Sequence, residues 1–553
     1  MRSRPFRLAI AAAILIGAVV RLNVVRWSEP WQPHHPDEHI LPLEALASWE
    51  GIVPREVGWP GSTSRFVISV AAGSQMLLEE GRAMWSERSQ PDRVLDTVTT
   101  WIAKRYVEPE SLYRLGRTVS IVTGILQVVA VAWALAQWVG PAGTLVGTLA
   151  IAISPLVVAY SQYVLADITG LLFATIAAGL AARPTPRRVL AMAALVGLAA
   201  SSKFHFGMWV VTPLLCVWLG DRTVFPRKWL STAAVLIVTA WVVVTCVPWF
   251  WINPLLALKE FGGVVLVKVS PGAPLGRIPS NASTVFGGFG ILTWLGGIAG
   301  IFRLASNDGR RYIPIAVPVL IGTLALLLSA TVFDRYGIVL LPGIVVFVGA
   351  GWDAALVSRR FSARRAALVA LAVCVAATTV ALVRSQRIVG ETDVDVLARN
   401  WIVANVAPHS RVAIQDEMNA YMPRVAAQLR ECAGRVETVG AYQEKWSIEG
   451  VTTSLADKRE MESVILNDER FNAYWCRREL DLDRPDGFRV VTYHSEPRFG
   501  SVLEQDAVDD FRSGGREATG GVDVLVLNRP MDIGVPPAQV FRTARGQRVI
   551  YRR

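Results

Sequence analysis

Within residues 34–39 the chain reads His34-His35-Pro36-Asp37-Glu38-His39, two adjacent carboxylates among three imidazoles. A carboxylate pair of this kind can supply a general base for a hydroxyl nucleophile, with its neighbour orienting that base or shifting its pKa. Trp27, Pro30, Trp31 and Pro33 form a stiff lead into it, just past the first apolar segment. Charge beside a bilayer core is costly, so an acidic pair held there needs a reason. A second reading stays open: Asp37 and Glu38 precede an apolar run and would also complement a helix N-terminus. A third is a metal site made of Asp37, Glu38 and His35, since these are ordinary ligand types. The order is not the HExxH of zincins, whose histidines share a helical face, and Pro36 interrupts any helix that could align them.

The elements that must position this pair are set by composition. The chain has 553 residues, 52% of them hydrophobic and only 18% charged, with a mean hydropathy of +0.38, which reads as a polytopic membrane protein. Apolar runs predict about eleven spans, over 8–25, 116–139, 142–160, 164–182, 189–201, 206–219, 230–248, 285–302, 312–330, 337–354 and 366–383. The net charge of +11 does not form a basic face for nucleic acid. Sixteen Lys and Arg instead fall in five clusters between alternate spans: 1–7, 183–188, 221–228, 303–311 and 359–365. The positive-inside rule then puts the N-terminus in the cytoplasm and, with an odd span count, the C-terminus outside an inner membrane. No small-residue cleavage site follows the first run, which therefore reads as an uncleaved helix.

This orientation leaves two long outer loops, 26–115 and 249–284. The first holds the acidic stretch and two amphipathic patterns, 66–78 and 94–102, suited to helices lying in the interface. The second opens with Trp249-Phe250-Trp251, which fits an interfacial aromatic belt, and contains the sequon Asn281-Ala282-Ser283. Beyond residue 386, β-rich runs at 411–414, 435–439, 488–493 and 522–527 alternate with helical patterns at 393–406 and 461–480, predicting a small α/β domain. Of five cysteines, Cys216, Cys246 and Cys374 fall in spans. Cys432 and Cys476 share the outer domain, where an oxidising compartment permits a disulfide; two separately buried thiols are the other option.

Further stretches carry a family likeness: Leu115-Gly116-Arg117-Thr118-Val119-Ser120, Ser154-Pro155-Leu156 leading to Asp167, Ser202-Lys203-Phe204, and Asp334-Arg335-Tyr336 through Leu341-Pro342. With an acidic motif in a long first outer loop, many spans and a terminal outer domain, their order resembles the GT-C superfamily of lipid-phosphate-sugar glycosyltransferases. The protein O-mannosyltransferase and lipid A aminoarabinose transferase branch is the most similar. The HPDE spelling also resembles the mannosyltransferases of glycolipid-anchor assembly, so the acceptor is not fixed by the likeness. The terminal domain adds no diagnostic motif.

The resemblance implies a polytopic α-helical fold over 1–385, an extracytoplasmic α/β domain over 386–553, and an inverting hexosyl or pentosyl transfer. A sugar would leave a polyprenyl-phosphate donor for a hydroxyl on protein Ser/Thr or on an envelope glycan or lipid. Asp37 would be the base, Glu38 its neighbour and Asp167 a second acidic residue. Cations at outer ends run against the positive-inside bias, and Arg21, Arg117, Lys203 and Arg335 at such ends, with Tyr336, suit the phosphate dianion that sugar transfer leaves behind. Snorkelling of Arg21 and Lys203, and pairing of Arg117 or Arg335 with nearby carboxylates, remain the alternatives. No cofactor is demanded, although a divalent cation bridging Asp37 to the donor phosphate stays open. The rival class is a lipid or solute transporter, against which the runs show neither inverted halves nor a broken helix pair.

Overall fold

The apolar runs are helices in the computed structural model, which describes residues 4–23, 40–50, 61–107, 110–252, 254–255, 257–258, 275–302, 309–329, 332–389, 394–415 and short pieces between 427 and 552. The chain begins with α1 (Arg4–Leu22). Three helices of the first loop follow, α2 (Ile40–Ala47), α3 (Ser62–Ser86) and α4 (Pro91–Val107). Next come α5 (Glu110–Trp138), α6 (Pro141–Ala152), α7 (Pro155–Gln162), α8 (Asp167–Leu180), α9 (Pro186–Ser202), α10 (Val211–Leu219) and α11 (Lys228–Cys246). The membrane part closes with α12 (Ile278–Gly287), α13 (Ile291–Ile301), α14 (Ile313–Leu327), α15 (Leu341–Leu356) and α16 (Phe361–Val389). Three-residue-per-turn runs, Phe204–Val210 and Asp334–Leu340, lead into α10 and α15.

Among the described residues six unbroken helices are long and apolar enough to cross a membrane, and two bent pairs raise this to eight. Where described, each of the eleven expected runs is mainly helical, but α8 has only 14 residues, a rise of about 21 Å against a hydrocarbon core of about 30 Å. Length alone therefore does not deliver eleven crossings.

The absence of broken pairs, expected from the sequence, is corrected. The run 142–160 is α6 and α7, bent by 53°, and the run 285–302 is entered through α12 and α13, bent by 112°. Pro155 at the start of α7 has no N–H to continue α6 and holds Ser154 extended. Gly290, with φ +84°, turns the second pair in a conformation that a side chain would strain. The two breaks hydrogen-bond to each other: the Leu156 N–H donates to the Gly288 carbonyl at 3.0 Å. Backbone groups freed inside a membrane must be satisfied internally, and here one break does so for the other.

Lipid tails are as apolar as leucine, so close packing rather than the hydrophobic effect joins these helices. Along α13 and α15 the contact is backbone to backbone, and a Cβ on Gly300 would lie 2.0 Å from the Phe347 carbonyl oxygen. At one end of the bundle the Asp353 carboxylate from α15 accepts from the Gly140 and Gly143 N–H groups, capping α6.

The two amphipathic patterns of the first loop are α3 and α4, joined to α2 by an apolar cluster that includes Leu43, Leu46, Ala72, Trp101 and Ile102. Glu44 and Arg65 form a buried ion pair at 3.2 Å between α2 and α3. In the second loop Trp249 is not an interfacial residue. It is buried with Phe204, Val243 and Val247, whereas Trp251 is exposed. The sequon Asn281 is buried too; its amide donates to the Leu327 and Ser329 carbonyls, both at 3.0 Å, closing the end of α14.

The C-terminal part contains a six-stranded sheet of order β3-β2-β1-β4-β6-β5. β1 (Arg411–Gln415), β2 (Arg489–His494), β3 (Val502–Leu503) and β4 (Val524–Leu527) run parallel. β5 (Gln539–Thr543) and β6 (Gly546–Arg552) close one side antiparallel. β4 is apolar at every residue because both faces are covered. Val524 and Val526 meet α17 (Val394–Asn405), while Leu525 and Leu527 meet Phe511 and Tyr551. The run 435–439 lies outside the described residues, as does 461–480 except for Cys476. Cys476 is buried and disulfide-bonded, its expected partner Cys432 lies outside the described residues, and Cys216, Cys246 and Cys374 are free thiols.

Candidate active site

Asp37, Glu38 and the three histidines around them lie outside the described residues. The helix that succeeds them in the chain is described. Leu41 and Ala45 of α2 pack on Val164 and Ala166, in the connection that delivers Asp167 as the first residue of α8.

Asp167 is 1% exposed and ion-paired with the Lys203 ammonium. The pairing follows from chain geometry. α8 and α9 are antiparallel neighbours joined by a short turn, so the first residue of one and the residue after the other share an end. Lys203 leaves α9 in extended conformation, φ −157° and ψ 121°, which ends the helix and begins the run from Phe204. One carboxylate oxygen, Oδ2 of Asp167, is buried without a hydrogen-bond partner among the described residues. A buried orphan acceptor is costly, so this atom is a natural place for a ligand's donor.

Aromatic rings close the other side. The Lys203 ammonium sits 5.1 Å from the centroid of the Tyr336 ring, on which His205 also stacks with ring centroids 5.1 Å apart. Phe333 meets Tyr336 edge to face, and the half-buried Arg335 guanidinium lies 5.5 Å from the Phe333 centroid. Asp334 is held in place from two directions: the Tyr160 hydroxyl donates to it at 2.8 Å and the Arg335 backbone N–H at 2.7 Å. Tyr160 in turn meets Tyr163 edge to face. Thus α7, the start of α8, the end of α9 and the turn before α15 converge on one polar cluster.

The structure brings Asp167, Lys203, Arg335 and Tyr336 together. It gives Arg21 another occupation. This fully buried guanidinium donates to the carbonyls of Gly17, Ile151 and Ala152 and to the Ser161 hydroxyl, filling the gap between α6 and α7. Arg117 is buried near the start of α5. Among the described residues no group of three or more His, Cys, Asp or Glu is placed to hold a metal ion. The sequence alone assigns no role to Tyr160 or His205, and takes Asp334 only as part of the Asp334-Arg335-Tyr336 stretch. Signals for them exist: Asp334 adjoins Arg335, and His205 is two residues past Lys203.

No protein-family profile matches the chain, and no curated protein matches it in sequence. Solved structures do. ArnT from Cupriavidus metallidurans, bound to undecaprenyl phosphate, is similar over 100% of this chain and 98% of its own, at 14% identity and a TM-score of 0.50. The archaeal oligosaccharyltransferase AglB from Archaeoglobus fulgidus, in complex with an inhibitory peptide and a dolichol-phosphate, matches 76% of this chain and 63% of its own length, at 12% identity and a TM-score of 0.45. The chain is an integral membrane protein that shares the fold of ArnT and carries a small C-terminal sheet.

Proposed function

We propose that the protein is an inverting glycosyltransferase that moves a sugar from a polyprenyl-phosphate donor to a hydroxyl acceptor at the outer face of an inner membrane. The observation that carries this reading is the buried Asp167–Lys203 pair, with its unpartnered carboxylate oxygen, beneath the loop that α2 covers. Asp37 and Glu38 come immediately before α2, so chain length keeps them within about 14 Å of Leu41. In the proposed reaction Asp37 accepts the acceptor's hydroxyl proton as that oxygen attacks the anomeric carbon. The bond from that carbon to the phosphate oxygen breaks, and polyprenyl phosphate leaves with both electrons.

An ammonium carries three donors and Asp167 takes one, so the pair does not exhaust Lys203. Lys203, Arg335 and Arg117 would answer the dianion as it forms, with Tyr336 as the apolar wall beside them. Arg21 would act indirectly, by fixing the bend between α6 and α7. Asp167 Oδ2 would accept from a sugar hydroxyl. The fold shared with ArnT, and the undecaprenyl phosphate bound there, support a lipid-linked donor; transfer assays would identify the sugar and the acceptor.

Purified wild type and Asp37→Asn should be compared on a synthetic polyprenyl-phosphate sugar. One positioned base contributes about 10²–10⁴-fold, so turnover should fall by that factor with donor binding kept. Near-normal transfer by the variant would falsify the base assignment. A transporter is the second reading, favoured by the two bent helix pairs. In transporters such breaks leave carbonyls to bind ions, but here Ile151, Ala152 and Gly288 already have donors. Lipid-linked sugar crossing liposomes without any glycosidic transfer would establish that reading instead.

A further inference from the structure

The first-loop helices carry a polar cavity that the transfer reading does not use. It has a volume of about 480 Å³ and lies between α3, α4 and the first two turns of α5. Gln75, Lys104, Arg105, Ser111, Arg114, Leu115 and Thr118 line it, and among these described residues three are cations and none is a carboxylate. It opens at the end of α5 that also holds Gly116 and Val119, next to the loop leading to Asp167.

Arg105 is the built part of this site. The residue is 7% exposed, its guanidinium stacks over Trp101 at 4.4 Å from the ring centroid, and one terminal nitrogen pairs with Glu79. Its Nε is buried and has no hydrogen-bond partner among the described residues. A guanidinium held by stacking and one carboxylate, with a donor left over, is a preformed half of an oxyanion clamp. Lys104 and Arg114 stand exposed at the same cavity.

The surface beyond the rim identifies the other half of the ligand. From Thr118 onward α5 exposes Val122, Leu126, Val129 and Trp133, spaced as one helical face. Leu78, one turn past Gln75 on α3, is exposed as well. A cationic hollow at the end of a span, continuous with an apolar stripe along that span, matches a phosphate head joined to acyl chains. A soluble anion would need only the hollow.

We infer that this cavity binds the phosphate headgroup of an anionic membrane lipid whose acyl chains lie along α5, a site separate from the Asp167–Lys203 cluster and independent of transfer chemistry. Native mass spectrometry of the full-length protein in neutral detergent, titrated with dioleoyl phosphatidylglycerol or dioleoyl phosphatidylcholine, tests it. Wild type should hold phosphatidylglycerol at least about tenfold more tightly, the scale of one charged hydrogen bond. Lys104→Gln/Arg114→Gln should erase that preference, and Lys104→Glu/Arg114→Glu should invert it. Unchanged thermal midpoints would show both variants folded. Equal affinity of the wild type for the two lipids, or phosphatidylglycerol binding untouched by the double variants, would overturn the inference. Glycerol phosphate binding as tightly as the whole lipid would also overturn it, assigning the hollow to a soluble anion.

Discussion

Replacing Lys203 with Met keeps a side chain of similar length and removes only the ammonium. Asp167 is 1% exposed and, among the described residues, leaves Oδ2 without a hydrogen-bond partner, so the substitution strips its carboxylate of its ion-pair partner. Breaking a buried ion pair from one side costs about 3–5 kcal/mol, because the remaining charge is left uncompensated. Lys203→Met should therefore lose stability as well as activity, contrary to the fold-neutral outcome expected of a residue that only binds donor phosphate. Asp167→Asn should lose a comparable amount, since it strands the ammonium. In Lys203→Met/Asp167→Asn neither charge of the pair remains, and most of the loss should be recovered, giving a coupling energy of at least about 3 kcal/mol. The tyrosine wall would remain, but the double variant should be catalytically dead. Unfolding titrated with SDS in mixed micelles reads all four corners of the cycle. Additive losses, with the double variant no better than the sum of the singles, would refute the buried-pair reasoning; a fully active double variant would remove the pair from the site.

Three smaller perturbations test the frame. Burial raises the Glu79 carboxyl, but hydrogen bonds from Trp101 and Gln75 and the charge of Arg105 outweigh it and hold the group below the usual carboxylate range. A depressed folded-state pKa stabilises above the ordinary value of 4.5 and is lost as pH falls through the folded value, so acid titration followed by Trp fluorescence should show a transition that Glu79→Gln lacks. Asp353→Ala should cost about 0.5–2 kcal/mol through the lost cap on α6, read as a lower thermal midpoint with donor affinity unchanged. Non-reducing peptide mapping should return a peptide joining Cys476 to Cys432, and Cys476→Ser should cost about 2–5 kcal/mol in the C-terminal domain, seen as faster proteolysis there.

The helices were legible because a membrane span must be a long apolar run and nothing else in a chain is. The bends were not, since periodicity reports the residues of a helix and not the direction of its axis. Ser154-Pro155 and Gly288 through Gly290 were visible as breakers, but Pro at a first helical position is as compatible with a new straight segment as with a 53° turn. The site was half legible. Asp167 and Lys203 each stand out in the sequence, but as separate groups. The short turn between α8 and α9 already implies that they meet, and only the extended backbone of Lys203, which turns its ammonium inward, had to come from the structure. Trp249 misleads because a Trp-rich stretch after a span fits a belt and a buried core equally well from sequence.

The cations that sequence reasoning places at outer ends have a different meaning in the fold from the one that sequence invites. An outward cation looks like a phosphate ligand because nothing in the sequence shows what else could neutralise it. In the fold Arg21 is answered by carbonyls at a helix break, Lys203 by Asp167 and Arg105 by Glu79. Each of these side chains is more than nine-tenths buried, where an unanswered charge would be prohibitive whatever the substrate. The charge count therefore says where the protein had to build polar structure, and donors left over after that structure is satisfied say where a ligand can bind. By that criterion Arg21, whose Nε and two terminal nitrogens all donate to the protein, is a strut, and Lys203 and Arg105 are the cations with capacity to spare.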